Sequence, residues 1–173
     1  MKVIMSWSVR KVKTFEGREG QGFNAELLRD GKPVAAVTDD ASGGEYRFSW
    51  YDWHVPKAEF HVHDFRGTVC SHVGTPEERL LCEHADAQTY VNELNGNQYH
   101  MDADMFVGQL VDTYANNRTF RRLSRTRTLF RLKSDPDGGW SSIRIPYSTE
   151  TATKLLKQYG SELVQVYDPA VGL

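Results

Sequence analysis

Two turn signals punctuate an alternating run between Phe23 and Trp50 and leave that stretch few ways to fold. Phe23, Ala25 and Leu27 alternate with polar residues as far as Arg29-Asp30-Gly31-Lys32. Val34, Ala35, Ala36 and Val37 then lead into Asp39-Asp40-Ala41-Ser42-Gly43-Gly44, after which Tyr46, Phe48 and Trp50 resume the period of two. A period of two places every second side chain on one face of a strand. Asp-Gly supplies the positive φ of a tight hairpin turn, and Ser-Gly-Gly closes a second one, so the expectation is an N-terminal antiparallel meander of three strands. Gly17, Gly20 and Gly22 precede it with the spacing G-x-x-G-x-G. That spacing matches no phosphate-cradling fingerprint and no helical pattern follows it, so a turn or bulge is expected there.

Tyr51 to Tyr99 mixes aromatics, histidines and acids without a clean period, but it contains one strong helix start. Thr75 can cap a helix with Pro76 at its first position and Glu77 and Glu78 in its first turn, which predicts about ten helical residues from Pro76. Asp102 or Asp104 can cap a second helix carrying Phe106, Val107, Leu110, Val111 and Tyr114 at the 3.6-residue period. Asn116-Asn117 interrupts that register, so a bend or a new short segment is expected.

Thr126, Thr128, Phe130 and Leu132 alternate with Arg127, Leu129, Arg131 and Lys133. A turn at Asp135-Pro136-Asp137-Gly138-Gly139 follows, and Trp140 to Ile145 alternate again, forming a second hairpin. Ser148 or Thr149 can cap a helix with Ala152, Leu155, Leu156 and Tyr159. Gly160 supplies its left-handed stop, and Leu163, Val164, Val166 and Tyr167 make a last strand. The expected class is α+β: an N-terminal antiparallel β-meander, central helices and a C-terminal ββαβ unit, in one compact domain spanning 1–173.

No apolar run reaches the roughly 18 residues needed to cross a bilayer. Met1-Lys2-Val3-Ile4-Met5-Ser6-Trp7-Ser8 lacks the pattern of a signal peptide, so no membrane partner and a cytoplasmic location are expected. Cys70 and Cys82 are too few for a disulfide framework, although a single bridge is left open. The formal net charge is -2, so attraction to nucleic acid has to come from a local patch.

Such a patch exists. Arg118, Arg121, Arg122, Arg125, Arg127, Arg131 and Lys133 follow one another with no acid between them. If the first part is helical, Arg118, Arg121, Arg122 and Arg125 share one stripe at i, i+3, i+4 and i+7. On the hairpin, Arg127, Arg131 and Lys133 are expected on the face of Trp140 and Arg144. These nine residues are the candidate partner- or phosphate-binding set, with Trp140 available for base stacking or cation–π contact. The plainer alternative is that the arginines are solvated, or paired with acids of the stretch from Glu77 to Asp112.

His54, His61, His63, Cys70, His72, Cys82 and His84 form a second cluster. Cys70, His72, Cys82 and His84 are the candidate metal ligands, zinc being the ion their chemistry suits, although the C-x-H spacing is not that of common structural zinc sites. If Cys82-Glu83-His84 is helical, the two outer side chains point about 200° apart. His63-Asp64 and Glu59 permit acid–base chemistry on paper, and neither cysteine has a visible paired base. No P-loop, nucleophile elbow, zinc-protease helix or EF-hand loop is present, so no catalytic residue is assigned and a non-enzymatic role is expected.

Two blocks resemble ones found in small bacteriophage and prophage accessory proteins. One runs from Lys13 to Ala25 and on through Asp30-Gly31-Lys32 and Asp39 to Gly44; the other runs from Thr128 to Lys133 and through Pro146-Tyr147 to Tyr159-Gly160. The resemblance implies a context rather than a reaction: a protein acting in the cytoplasm of a bacterial host, without a cofactor. By analogy with anti-CRISPR proteins, its partner would be a host macromolecular complex, such as a CRISPR-type defence effector, which it binds and inhibits. A direct nucleic-acid-binding protein is the first alternative, and a zinc-dependent module or enzyme built on the His/Cys segment is the second. Oligomeric state is not specified by the sequence.

Overall fold

The computed structural model describes residues 5–136 and 139–173; Met1-Lys2-Val3-Ile4 and the tip of the expected hairpin turn, Asp137-Gly138, lie outside the described residues. The fold is α+β, with an N-terminal antiparallel meander and a C-terminal region of strands and helices. The chain divides into two compact units, Met1–Asp112 and Thr113–Leu173.

The meander has four strands rather than three: β1 (Trp7–Gly17), β2 (Gly20–Arg29), β3 (Lys32–Asp39) and β4 (Arg47–Trp50), adjacent in that order. Gly17 pairs with Gly20 to close the first hairpin, so the glycine-rich segment is the expected turn. Asp30 and Gly31 have φ of 51° and 77°, the two positive values that a primed hairpin turn requires. The pairing then shifts by one residue between Leu28–Pro33 and Leu27–Ala35, and beyond this bulge Ala25 lies opposite Val37; Leu27, Ala35 and Val37 are almost completely buried. β1 escapes a sequence reading because its pairing shifts between Arg10 and Lys13, where Lys11 takes φ 55°. A bulge of this kind changes which side chains face inward and breaks the alternation.

The middle of the chain resolves into two small hairpins around a helix. β5 (Ala58–His63) pairs with β6 (Val69–Gly74), α1 covers Pro76–Asp86, and β7 (Thr89–Val91) pairs with β8 (Gln98–His100). Thr75 caps α1 as expected: its hydroxyl accepts the Glu78 N–H at 3.3 Å, and the Glu78 carboxylate accepts the Thr75 N–H at 3.2 Å. That reciprocal pair satisfies two otherwise unpartnered donors. Leu81 and Ala85 form the buried face of α1. Arg29 ties β2 to the start of this helix, donating from Nε and Nη2 to the two Glu77 oxygens at 2.7 and 2.6 Å.

α2 (Ala103–Leu123) runs unbroken through Asn116-Asn117, and the boundary between the units falls within it. Asp102, not Asp104, caps it, accepting the Met105 N–H at 2.8 Å. Asn117 does not interrupt the helix because its side chain is used elsewhere in the second unit: Oδ1 accepts from the Leu173 N–H at 2.8 Å and from the Tyr167 hydroxyl at 3.3 Å.

In the second unit β9 (Thr128–Leu132) is the central strand, with β10 (Ser141–Ile143) on one side and β11 (Leu163–Val166) on the other, both antiparallel to it. α3 (Thr149–Tyr159) joins β10 to β11, completing the expected ββαβ order. Ser148 caps α3 and Gly160, at φ 53°, stops it. Phe130 stacks on Tyr159 at 5.5 Å, and fully buried Tyr167 meets Phe120 edge-on at 5.2 Å. Leu81→Ala should destabilise the protein by about 2–5 kcal/mol in chemical denaturation, since it empties a fully buried site. Ser142→Ala, on an exposed position, should fall within about 0.5 kcal/mol of the parent.

Candidate functional site

The basic run does not lie on one element. Arg118, Arg121 and Arg122 project from the last turns of α2 and are exposed. Arg125 lies beyond the helix, correcting the expected four-residue stripe. The Ser124 hydroxyl donates to the Arg121 carbonyl at 2.9 Å, and the N–H groups of Thr126 and Arg127 both reach the Leu123 carbonyl at 3.0 Å, so the chain turns before Arg125 can extend the helical row. Arg127 and Lys133 flank β9 rather than lying within it, Arg131 is half-buried on the strand, and Arg144 is exposed just after β10. Within this unit none of these eight basic residues makes an ion pair among the described residues; its recorded pair is Lys154 with Glu150.

Three acids of the first unit's Glu77–Asp112 stretch have partners of their own. Glu77 holds Arg29, Glu83 holds Arg79 at 2.7 Å, and Glu78 completes the capping box. Trp140 is half-buried, and its ring meets Phe120 at 5.1 Å and Tyr167 at 6.4 Å, both edge-on, so the indole is part of an aromatic cluster.

The four candidate metal ligands are not brought together. Among the described residues the group able to hold a metal ion is His63, Asp86 and His100 instead. Cys70 and His72 sit on β6, where His72 stacks on Phe60 at 5.8 Å and the Cys70 thiol donates to the Thr68 carbonyl at 3.6 Å. Cys82 and His84 lie on α1, which splays them apart as helical geometry demands. His84 packs against Trp7 and Phe106, and burial lowers its pKa. Burial, reinforced by the Glu78 and Asp104 carboxylates, pushes the Cys82 thiol up to about 12. Such a thiol is protonated at neutral pH and makes a poor nucleophile. Both cysteines are free.

His63 does not use Asp64 for acid–base work. The Asp64 carboxylate accepts the N–H groups of Arg66 and Thr68 and shapes the turn after β5. Glu59 accepts the Ser71 hydroxyl across the β5–β6 hairpin. The His63 ring turns to Asp86, its Nδ1 lying 3.1 and 3.0 Å from the two carboxylate oxygens, while the His63 N–H donates to Oδ1 at 2.9 Å. His100 arrives from the end of β8, with its Nδ1 2.8 Å from the Asp86 carbonyl oxygen and 3.4 Å from Oδ1. The two imidazoles stack at 4.1 Å with 13° between their planes. No sequence motif announces this trio, because its members come from three short elements.

A shallow groove lined by Ala58, Gly74, Thr75, Pro76, Arg79, Leu80 and Glu83 adds no convergent reactive groups, since its one charged pair is Arg79–Glu83. Among the described residues, no helix is long and apolar enough to cross a membrane. In comparisons with known proteins, no family model, curated protein or solved structure matches the chain.

Asp104, at the start of α2, is a half-buried carboxyl of the first unit. Burial raises its pKa, with Asp102, Glu45 and Asp39 adding to the effect, and the Tyr46 N–H donated to Oδ2 at 2.8 Å opposes it only in part. A carboxyl whose pKa is raised by folding contributes stability below its unfolded value, about 3.9, and that contribution is lost as pH rises through the folded value. Asp104→Asn, whose side-chain oxygen can still accept the Tyr46 N–H, should therefore raise the melting temperature at neutral pH. Thermal melts across the acidic range should show that gain shrinking as pH falls.

Proposed function

We propose that this protein is a non-enzymatic accessory protein of a bacteriophage or mobile element, and that it binds and inhibits a host macromolecular complex through the arginine-rich surface of its second unit. The observation that carries the reading is the set Arg118, Arg121, Arg122 and Arg125: exposed guanidinium groups with no ion pair inside their own unit among the described residues. Cations in the last turn of a helix oppose its dipole, worth about 0.3–1 kcal/mol each. That accounts for Arg121 and Arg122 at α2, the basic residues of its last turn, and leaves Arg118 and Arg125 without a structural use. Guanidinium forks in such an array suit bidentate contacts to carboxylates or phosphates.

Two considerations put a protein partner ahead of nucleic acid. The net charge of -2 gives no general attraction to a polyanion. Trp140, the aromatic residue that would stack on bases, is engaged with Phe120 and Tyr167. The resemblance of the Lys13–Gly44 and Thr128–Gly160 blocks to phage accessory proteins directs the search to bacterial complexes, CRISPR-type effectors first.

The triple variant Arg118→Ala, Arg121→Ala and Arg122→Ala should lose at least about tenfold in partner affinity, while its stability stays within about 1 kcal/mol per substitution, the helix-dipole contribution of Arg121 and Arg122 included. The check is capture of complexes from bacterial lysate with and without nuclease, followed by the activity of the captured complex in the presence of parent and variant. A nuclease-resistant complex that the parent inhibits and the variant does not is the expected result. Full binding by the variant would remove the surface from consideration. Recovery of nucleic acid alone, lost at moderate salt, would reassign it to phosphate binding.

A further inference from the structure

We propose that His63, Asp86 and His100 form a binding site for a divalent first-row transition ion, of which Zn2+ is the first to test, with Nδ1 of each histidine and a carboxylate oxygen of Asp86 as ligands. The site belongs to the first unit and is independent of the arginine-rich surface. Each of the three residues offers one ligand atom, a ring nitrogen or a carboxylate oxygen, within 4.8 Å of the other two. The separations that matter most are already shorter: His63 Nδ1 is 3.0 Å from Asp86 Oδ2, and His100 Nδ1 is 3.4 Å from Oδ1. Neighbouring ligands of a tetrahedral ion with bonds of roughly 2.0–2.1 Å stand about 3.4 Å apart. Two imidazoles and a carboxylate suit zinc, nickel, cobalt or iron(II), and with three protein ligands at least one position stays open to water or to a donor from a partner.

The location favours a cation independently of the distances. Asp86 is the last residue of α1, so its carboxylate sits where the helix already presents unpaired carbonyl groups and partial negative charge. An acid there is unfavourable unless something positive meets it, and this one has only 17% of its side chain exposed. Without an ion, imidazole N–H groups meet that charge: His63 donates to the carboxylate and His100 to the Asp86 carbonyl. Coordination through Nδ1 moves each neutral imidazole's single ring proton to Nε2, a tautomer exchange through solvent with no net proton release, and turns the freed Nδ1 lone pairs onto the metal. The near-parallel rings must tilt toward one another to do so. Their side chains, 35% and 34% exposed, have room to move. Asp86 is held for the task by the His63 backbone N–H, which fixes Oδ1 at 2.9 Å.

The test uses untagged full-length protein stripped with a chelator and titrated with Co2+ and Zn2+, read by the cobalt absorption spectrum and by calorimetry. One equivalent should bind, and His63→Gln, His100→Gln and Asp86→Asn should each weaken binding by about tenfold or more. His54→Gln should leave it unchanged. Equal affinity of the parent and a His63→Gln/His100→Gln double variant would overturn the assignment. If any variant fails to fold, paramagnetic broadening by Co2+ in the parent decides instead. Loss of the His63 and His100 ring signals is expected, and broadening confined to other histidines would refute the site.

Discussion

The register of β2 against β3 is the constraint on which the first unit depends. Asp30 and Gly31, both with positive φ, close the hairpin, and the one-residue bulge between Leu28–Pro33 and Leu27–Ala35 then brings Leu27 to Ala35 and Ala25 to Val37 on one face. Because side chains alternate, a slip of one residue would turn Leu27, Ala35 and Val37 toward water and present polar neighbours to the core. The buried face so created would be of little use without a second layer. Arg29, the last residue of β2, uses its planar fork to hold Glu77 in the first turn of α1. The same hairpin, turn and bulge together, thus fixes a hydrophobic face and, next to the turn, an ionic tether to a helix.

That chain of dependence extends to the far end of α1. The capping box at Thr75 and Glu78 determines where the helix begins, and its length determines that Asp86 ends it. The Asp86 side chain and carbonyl are then the points to which β5 and β8 attach, through His63 and His100. A hairpin as short as β7–β8 has little cohesion of its own. Its attachment to the helix terminus through His100, and through the Met101 N–H donated to the Gln88 carbonyl at 3.0 Å, gives it a fixed position within the unit.

Much of this was legible where local chemistry decides the outcome. Asp30-Gly31, Thr75-Pro76 with Glu78, Ser148 and Gly160 each act within a few residues, and each occupies its expected position. The sequence is opaque where a long-range partner decides. β1 hides its alternation behind the bulge at Lys11, and Asn116-Asn117 looks like a break because its use by Tyr167 and Leu173 lies some fifty residues away. The basic residues were visible as a run but not as a shape, since the Ser124 turn separates Arg125 from the helical row. The trio of His63, Asp86 and His100 is the extreme case, being assembled from a strand end, a helix end and another strand end.

The two cysteines are chemically unequal by virtue of where the fold puts them. Both are half-buried, Cys70 on a hairpin and Cys82 on α1, but Cys82 lies among carboxylates that help hold its thiol protonated. Since the thiolate is the nucleophile, Cys82 stays out of thiolate chemistry at neutral pH although part of its surface meets solvent. The fold therefore shields that sulfur with negative charge as well as with cover.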